Sequence, residues 1–203
     1  MMELRPENAA LLVIDMQNCL CKPDGSVASI GLDVGQCIEA IEPCREVLDM
    51  ARDHSVPVIF TRYVLKQDYS DGGIMIKHLL PELAQQGALK EGSHDAEIIP
   101  EMNVRDNEIV LDKNRPSSFH GTALDKILER MGVTQLIVCG VTTNCCVETT
   151  VRDASQRDYE VFVVGDACGE LEEERHRVAL KTMDMLFADV VTVNALRAAL
   201  SRA

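Results

Sequence analysis

Short apolar runs recur along the chain, and more polar stretches separate them. The runs are rich in β-branched residues and almost continuously apolar, which is typical of parallel strands that are covered on both faces of a sheet. The pattern predicts six strands, at residues 9–15, 56–62, 107–113, 135–141, 160–167 and 188–196.

Between these runs, apolar residues recur at helical spacing. Pro43 interrupts the first helical pattern, Asn144 is placed to cap the start of the third, and Gly132 is placed to end the second. The predicted helices cover residues 34–55, 122–132, 145–158 and 169–187. This alternation predicts an α/β fold: a doubly wound, mostly parallel, six-stranded, Rossmann-like sheet with helices on both faces.

Residues 63–106 depart from the alternation, since they are rich in Gly and Pro and carry only a short helical stretch. An irregular segment of this length is usually functional, as a lid or a subunit contact. The alternative is a plain surface excursion. We therefore expect one domain over 1–203 with an irregular segment at 63–106.

Composition narrows the class of protein. The chain has 203 residues, of which 46% are hydrophobic, so it can build a sizeable core. Its formal net charge of -13 works against binding nucleic acid or an anionic membrane. The N-terminus lacks the pattern of a signal peptide, and no apolar run approaches the roughly 20 residues that span a bilayer. We expect a cytoplasmic protein.

The spacing of the eight cysteines favours neither a disulfide framework nor a zinc site. They are spread over a chain of ordinary size, and Cys19 and Cys21 are too close together for a usual zinc half-site. Most are expected to be small buried hydrophobes.

Three kinds of reactive side chain lie at or just after the carboxyl ends of predicted strands. Asp15 ends the first, Lys113 ends the third, and the turn after the fourth delivers Cys145 and Cys146. In an open parallel sheet the carboxyl ends of the strands carry the ligand site, so an acid, a base and a thiol converge there. Each of these residues, taken alone, also has a structural explanation. The aspartate could form a turn, the lysine could be a solvated surface residue, and a cysteine could be part of the core. Near a helix N-terminus and a lysine, a cysteine is expected to have a lowered pKa.

At these positions the sequence resembles the isochorismatase-like cysteine hydrolases. "LLVIDMQN", "KNRPSSFHGTALDKIL" and "GVTTNCCVETTVRDA" are similar to its three motifs. In the family the nucleophile directly precedes Val. The resemblance therefore implies a triad of Asp15, Lys113 and Cys146, a cis peptide before Thr142, and an oxyanion hole made by the backbone N–H groups of Thr142 and Cys146. It also implies a homo-oligomer.

The reaction implied is hydrolysis of a small amide, ureido or carbamoyl compound through a thioester. The isochorismatases proper lack the cysteine. In the metal-dependent nicotinamidase branch a histidine stands two residues after the aspartate, whereas Ser70 follows Asp68 here. We expect no catalytic metal and no cofactor. A nicotinamidase-type amidase is the alternative, as is a thiol redox protein that uses Cys145 and Cys146.

The remaining predictions concern the pocket. Arg62 could pair with a substrate carboxylate or form a surface ion pair, Phe119 could be a wall or core, and His120 could reach substrate, a neighbouring subunit or solvent. Asp166 is expected to hold a loop, and Cys145 to pack between sheet and helix. The predicted substrate contacts are Gln17, Arg62, Tyr63, Phe119 and His120.

Overall fold

The computed structural model describes residues 2–202 and contains a six-stranded sheet. All of its strand pairs are parallel, in the order β3-β2-β1-β4-β5-β6, so the winding reverses between β1 and β4. This confirms the predicted doubly wound α/β fold. The strands are β1 Ala9–Ile14, β2 Val58–Tyr63, β3 Ile109–Lys113, β4 Gln135–Val141, β5 Glu160–Gly169 and β6 Asp189–Val191.

Helices cover both faces of the sheet, because successive side chains of each strand point to opposite sides. In β1, Ala10, Leu12 and Ile14 join the core beneath α6, α7 and α8, whereas its alternate residues face α3, α4 and α9. The α-helices are α1 Asn18–Cys21, α2 Ser26–Ser29, α3 Gly35–Glu39, α4 Ile41–Asp53, α5 Pro81–Gln85, α6 Leu124–Arg130, α7 Glu148–Ser155, α8 Glu173–Leu186 and α9 Val193–Leu200.

Two predicted elements divide or shorten in the structure. The helix predicted over 34–55 breaks at Ala40 into α3 and α4, and Pro43 lies in the first turn of α4, where its missing N–H breaks no hydrogen bond. The strand predicted over 188–196 is wrong beyond Val191. The Thr192 hydroxyl there accepts the N–H of Ala195 at 3.1 Å and so starts α9.

The other helix boundaries differ less. Gly132 follows α6 with a φ of +68° and donates its N–H to Glu129, as expected of a C-cap glycine. Asn144 is not an N-cap, because the chain enters α7 through a π-helical turn, Thr143–Val147, that already begins after Thr142. The predicted 169–187 helix begins only at Glu173, since β5 continues to Gly169.

The segment 63–106 contains α5 and three short turns, Met75–Leu79, His94–Ala96 and Pro100–Met102. It is tied to the carboxyl end of β1 by the side chain of Gln17, whose Nε2 donates to Tyr63 O at 3.0 Å and to Ala96 O at 2.7 Å. The segment therefore packs over the edge of the sheet where the reactive residues lie. Within residues 2–202 no helix combines the length and apolar character needed to cross a membrane.

Candidate active site

The three reactive groups meet at the carboxyl edge of the sheet. Asp15 follows β1, Lys113 ends β3 and Cys146 follows β4, and these residues are 0%, 3% and 6% exposed. Asp15 and Cys146 line a pocket of about 210 Å³ together with Thr142 and Cys145. The edge thus combines a buried acid, a buried base and a thiol, as the strand ends predict.

Asp15 is held in one orientation by the neighbouring strands. Its backbone has a left-handed φ of +49°, and Thr61 on β2 donates its hydroxyl to Asp15 Oδ1 at 2.6 Å. On the other side, a Cβ on Gly140 would stand 2.1 Å from the Ile14 carbonyl oxygen, so only glycine lets β4 approach β1 there. Both contacts fix the acid beside the turn that follows β4.

Lys113 forms a fully buried ion pair with Asp15. Its Nζ lies 2.7 Å from Asp15 Oδ2, outside the directions of a hydrogen bond to that oxygen. The ammonium also donates to Arg115 O at 3.1 Å and lies 4.6 Å from the centre of the Tyr63 ring, a cation–π distance. Burial lowers the pKa of Lys113, but Asp15 and Cys146 outweigh it and leave that pKa above its ordinary value. Lys113 therefore carries its positive charge between the acid and the thiol.

The turn that carries the cysteines is anchored from two sides. The Val141–Thr142 peptide is cis, as the resemblance implies. The N–H groups of Cys145 and Val147 donate to Thr142 O at 3.2 and 3.1 Å, while the N–H of Asn144 donates to Glu170 Oε2 at 2.7 Å. The amides of Thr142 and Cys146, the predicted oxyanion hole, are not used in these contacts.

The same turn is also anchored by the last residue of β5 and by α8. The Thr143 hydroxyl donates to Gly169 O at 3.0 Å, and its oxygen lies 2.8 Å from His176 Nδ1. Because the single hydroxyl proton goes to the carbonyl, His176 Nδ1 must carry the proton of the second bond. His176 thus braces the turn from α8.

The two adjacent thiols differ in acidity. Hydrogen bonding with Cys145 and then burial raise the pKa of Cys146 above its ordinary value, and Lys113 opposes that rise. The same hydrogen bond lowers the pKa of Cys145, which is partly exposed. The prediction of a lowered pKa at Cys146 is therefore wrong, because the hydrogen bond with Cys145 and then burial favour the neutral thiol. Cys145 packs against the core on one side and also lines the pocket.

The pocket walls are mainly aliphatic. The chain between β1 and α3 contributes Leu20, Val27 and Leu32. Five further lining residues come from the segment 63–106, which thus forms a wall of the pocket: Tyr63, Met75, Leu80, Leu83 and Leu89.

Among the five predicted substrate contacts, Tyr63 lines this pocket and the other four lie outside its lining. Gln17 is completely buried and occupied by backbone groups of the segment 63–106. Arg62 makes a two-bond ion pair with Asp112, its neighbour on β3, at 2.7 and 2.9 Å. Phe119 packs on Tyr159 in the core, with ring centres 6.0 Å apart, and His120 is exposed in a separate surface depression.

Sequence reasoning missed Thr61, Glu170 and His176. Thr61 could have been found from the register of β2 beside β1, which brings it next to Asp15. Glu170 directly follows β5, at the same carboxyl edge as the other reactive residues. Asp166 was predicted correctly as a structural residue, since its Oδ1 accepts the N–H of Val193 at 2.8 Å.

No group of three or more His, Cys, Asp or Glu side chains within residues 2–202 is arranged to hold a metal ion. Asp68, where the metal-dependent pattern begins, instead accepts the N–H of Ser70 at 3.0 Å and closes its own turn.

The chain is similar to a family model and to known proteins over most of its length. The isochorismatase domain model matches residues 9–195. A ureidoacrylate amidohydrolase of Acinetobacter baylyi is 30% identical over 91% of this chain and 80% of its own length. A nicotinamidase of Arabidopsis thaliana is 34% identical over 95% of this chain and 88% of its own.

Solved structures share the fold over nearly the whole chain. A cysteine hydrolase from Pseudomonas syringae pv. phaseolicola superposes with a TM-score of 0.90 at 29% identity, covering 100% of this chain and 96% of its own. An N-carbamoylsarcosine amidase from Thermoplasma acidophilum has a TM-score of 0.74 at 26% identity, covering 92% of this chain and 96% of its own.

Proposed function

The chain belongs to the isochorismatase domain family, and on this premise we propose that Asp15, Lys113 and Cys146 form the catalytic triad of a cysteine hydrolase. The reaction is hydrolysis of the C–N bond of a small amide, ureido or carbamoyl compound. Relatives named ureidoacrylate amidohydrolase and N-carbamoylsarcosine amidase support this class of reaction.

One observation carries the assignment of roles. Lys113 lies 2.7 Å from Asp15, and its charge opposes the rise in the pKa of the Cys146 thiol, so one buried cation acts on both the acid and the thiol. A nucleophile needs a base within reach and a third group that orients the base. Lys113 supplies the third group here, and Cys146 is the more deeply buried of the two cysteines at this edge.

In the first half of the reaction, Cys146 Sγ attacks the substrate carbonyl carbon and its proton passes to Asp15. A neutral thiol at rest agrees with this step, because a general base is then required to generate the nucleophile. Oδ2 of Asp15 is buried and free of a directed hydrogen bond, so it has capacity to accept the proton.

The tetrahedral oxyanion would accept hydrogen bonds from the amides of Thr142 and Cys146, where the helix N-terminus adds favourable electrostatics. The C–N bond then breaks as Asp15 returns the proton to the leaving nitrogen, which releases ammonia or an amine and leaves a thioester. Water attacks the thioester, its proton passes to Asp15 and then to the Cys146 sulfur, and the acid product departs.

The test is a screen for ammonia release from small amides, ureides and carbamoyl compounds. The wild-type chain should release ammonia from at least one of them, and Cys146→Ala should not. Cys145→Ala is the matched control and should keep most of the activity. Equal activity of wild type and Cys146→Ala would overturn the proposal.

A further inference from the structure

We infer that the pocket selects an uncharged substrate with an aliphatic acyl group, a carboxamide of about four to six carbons, and discriminates against substrates that carry a carboxylate. This inference rests on the proposed function. It concerns the part of the substrate that lies away from the carbonyl.

The walls offer apolar contact and few polar partners. Besides the aliphatic residues on either side, Leu171 closes the pocket near the cysteines. The apolar character continues at the rim. Ile74 directly precedes Met75 and is 70% exposed, and Leu79 directly precedes Leu80 and is 65% exposed. A substrate chain would therefore meet aliphatic side chains from the carbonyl outwards.

Glu170, a polar residue of the lining, is already occupied by the protein. It is 1% exposed, and its two oxygens accept the N–H groups of Asn144 and Leu171 at 2.7 and 2.9 Å. Its carboxyl group lines the pocket together with that of Asp15, so a substrate carboxylate would meet two acidic side chains.

Both nearby cations already have acidic partners. Lys113 is paired with Asp15. Arg175 lines the pocket with its Nε 2.7 Å from Glu172, and its side chain is 57% exposed. A substrate carboxylate would have to compete with Glu172 for Arg175 or be buried among apolar groups, and burial without a partner is strongly unfavourable. The net charge of -13 adds long-range repulsion.

A matched pair of substrates tests the inference: hexanamide and the half-amide of adipic acid. In the half-amide a carboxylate replaces the terminal methyl group of hexanamide. We expect kcat/KM to rise about fourfold for each added methylene from acetamide to hexanamide. The half-amide should be at least about 100-fold poorer than hexanamide. Equal or better turnover of the half-amide would overturn the inference.

Two variants sharpen the result. Leu80→Arg introduces a cation at the rim, where Leu80 is 37% exposed, and should raise the half-amide to hexanamide ratio at least about tenfold. If Arg175→Gln selectively abolishes turnover of the half-amide, then Arg175 is an anion anchor and the inference is wrong. Arg177→Gln is the control, because Arg177 is 61% exposed and pairs with Glu174 outside the pocket.

Binding separates this inference from the proposed function. Ligand-observed NMR on Cys146→Ala measures affinity without turnover, and hexanamide should bind at least about 100-fold more tightly than the half-amide. If hexanamide binds but wild type turns over no amide, the proposed reaction fails and the selectivity stands. If the half-amide binds as tightly as hexanamide, the selectivity fails whatever the reaction.

Discussion

Glu170 accepts the backbone N–H of Asn144 at 2.7 Å and thereby ties the end of β5 to the turn that carries Cys146. The carboxylate is almost completely buried, and its other oxygen accepts the N–H of Leu171. Charge-assisted hydrogen bonds of this kind are stronger than neutral ones, so the contact fixes the position of the nucleophile turn.

Replacing Glu170 should loosen that turn. We predict that Glu170→Ala lowers the free energy of unfolding by about 1.5–3 kcal/mol, because two buried N–H groups lose a charged acceptor. It should also lower kcat by about tenfold to 100-fold with less effect on KM, since a displaced nucleophile is costly. Denaturant unfolding and steady-state kinetics measure both.

Glu174→Ala is the control, because Glu174 is an exposed residue of the same region that pairs only at 3.9 Å with Arg177. It should change stability and kcat little. Unchanged stability and kcat in Glu170→Ala would contradict the anchoring role.

The Asp15–Lys113 ion pair should be strongly coupled. Asp15→Asn leaves a buried ammonium without its counter-charge, and we predict a loss of about 3–5 kcal/mol in the free energy of unfolding. The double variant Asp15→Asn with Lys113→Met should recover part of that loss while remaining inactive. A double-mutant cycle in denaturant measures the coupling, and additive losses would show that the two charges do not interact.

The acidity of Cys146 is open to direct measurement in the wild-type chain, where fragmentation of the labelled peptide distinguishes alkylation of Cys146 from that of Cys145. Because its pKa is raised, less thiolate than usual is present at neutral pH, and the rate of alkylation by iodoacetamide should climb as the pH increases. The midpoint should lie above the ordinary thiol value of about 8.5. Lys113→Met should move it higher still, since the lysine charge lowers this pKa. A midpoint below the ordinary value would refute the neutral resting thiol.

Metal removal discriminates between this enzyme and a metal-dependent nicotinamidase. Ser70 stands where that branch carries a histidine, and the Asp68 carboxylate is occupied by its own turn. We predict that dialysis against a chelator leaves hydrolysis unchanged. Loss of activity that added zinc or iron restores would contradict the metal-free mechanism.

The fold followed from the sequence because short apolar, β-branched runs alternate with stretches of helical spacing. Asp15, Lys113 and the cysteine pair were found because parallel strands deliver their last residues to one edge, whereas the family resemblance selected Cys146 over Cys145. The sixth strand was overextended because Val193, Ala195 and Leu196 suit a buried position in either conformation, and the Thr192 cap decides for a helix. Periodicity alone cannot distinguish a short strand from the first turn of a helix.

The pocket was the least predictable part. Its walls come from the irregular segment 63–106, whose turns have no sequence period. The choice between a substrate contact and a surface ion pair for Arg62 stayed open in the sequence, because its cross-strand partner Asp112 depends on the register of β2 and β3. The pKa of Cys146 was misjudged because helix position is visible in a sequence, whereas burial beside a second thiol requires the assembled site.

The most direct test of the proposed mechanism is mass spectrometry of the protein after acid quench during turnover of a good substrate. A covalent thioester should add the mass of the acyl group, and peptide mapping should locate it on Cys146. Cys145→Ser should accumulate the same adduct, and Cys146→Ala should show none. An adduct on Cys145, or steady turnover in Cys146→Ala, would contradict the assignment of Cys146 as the nucleophile.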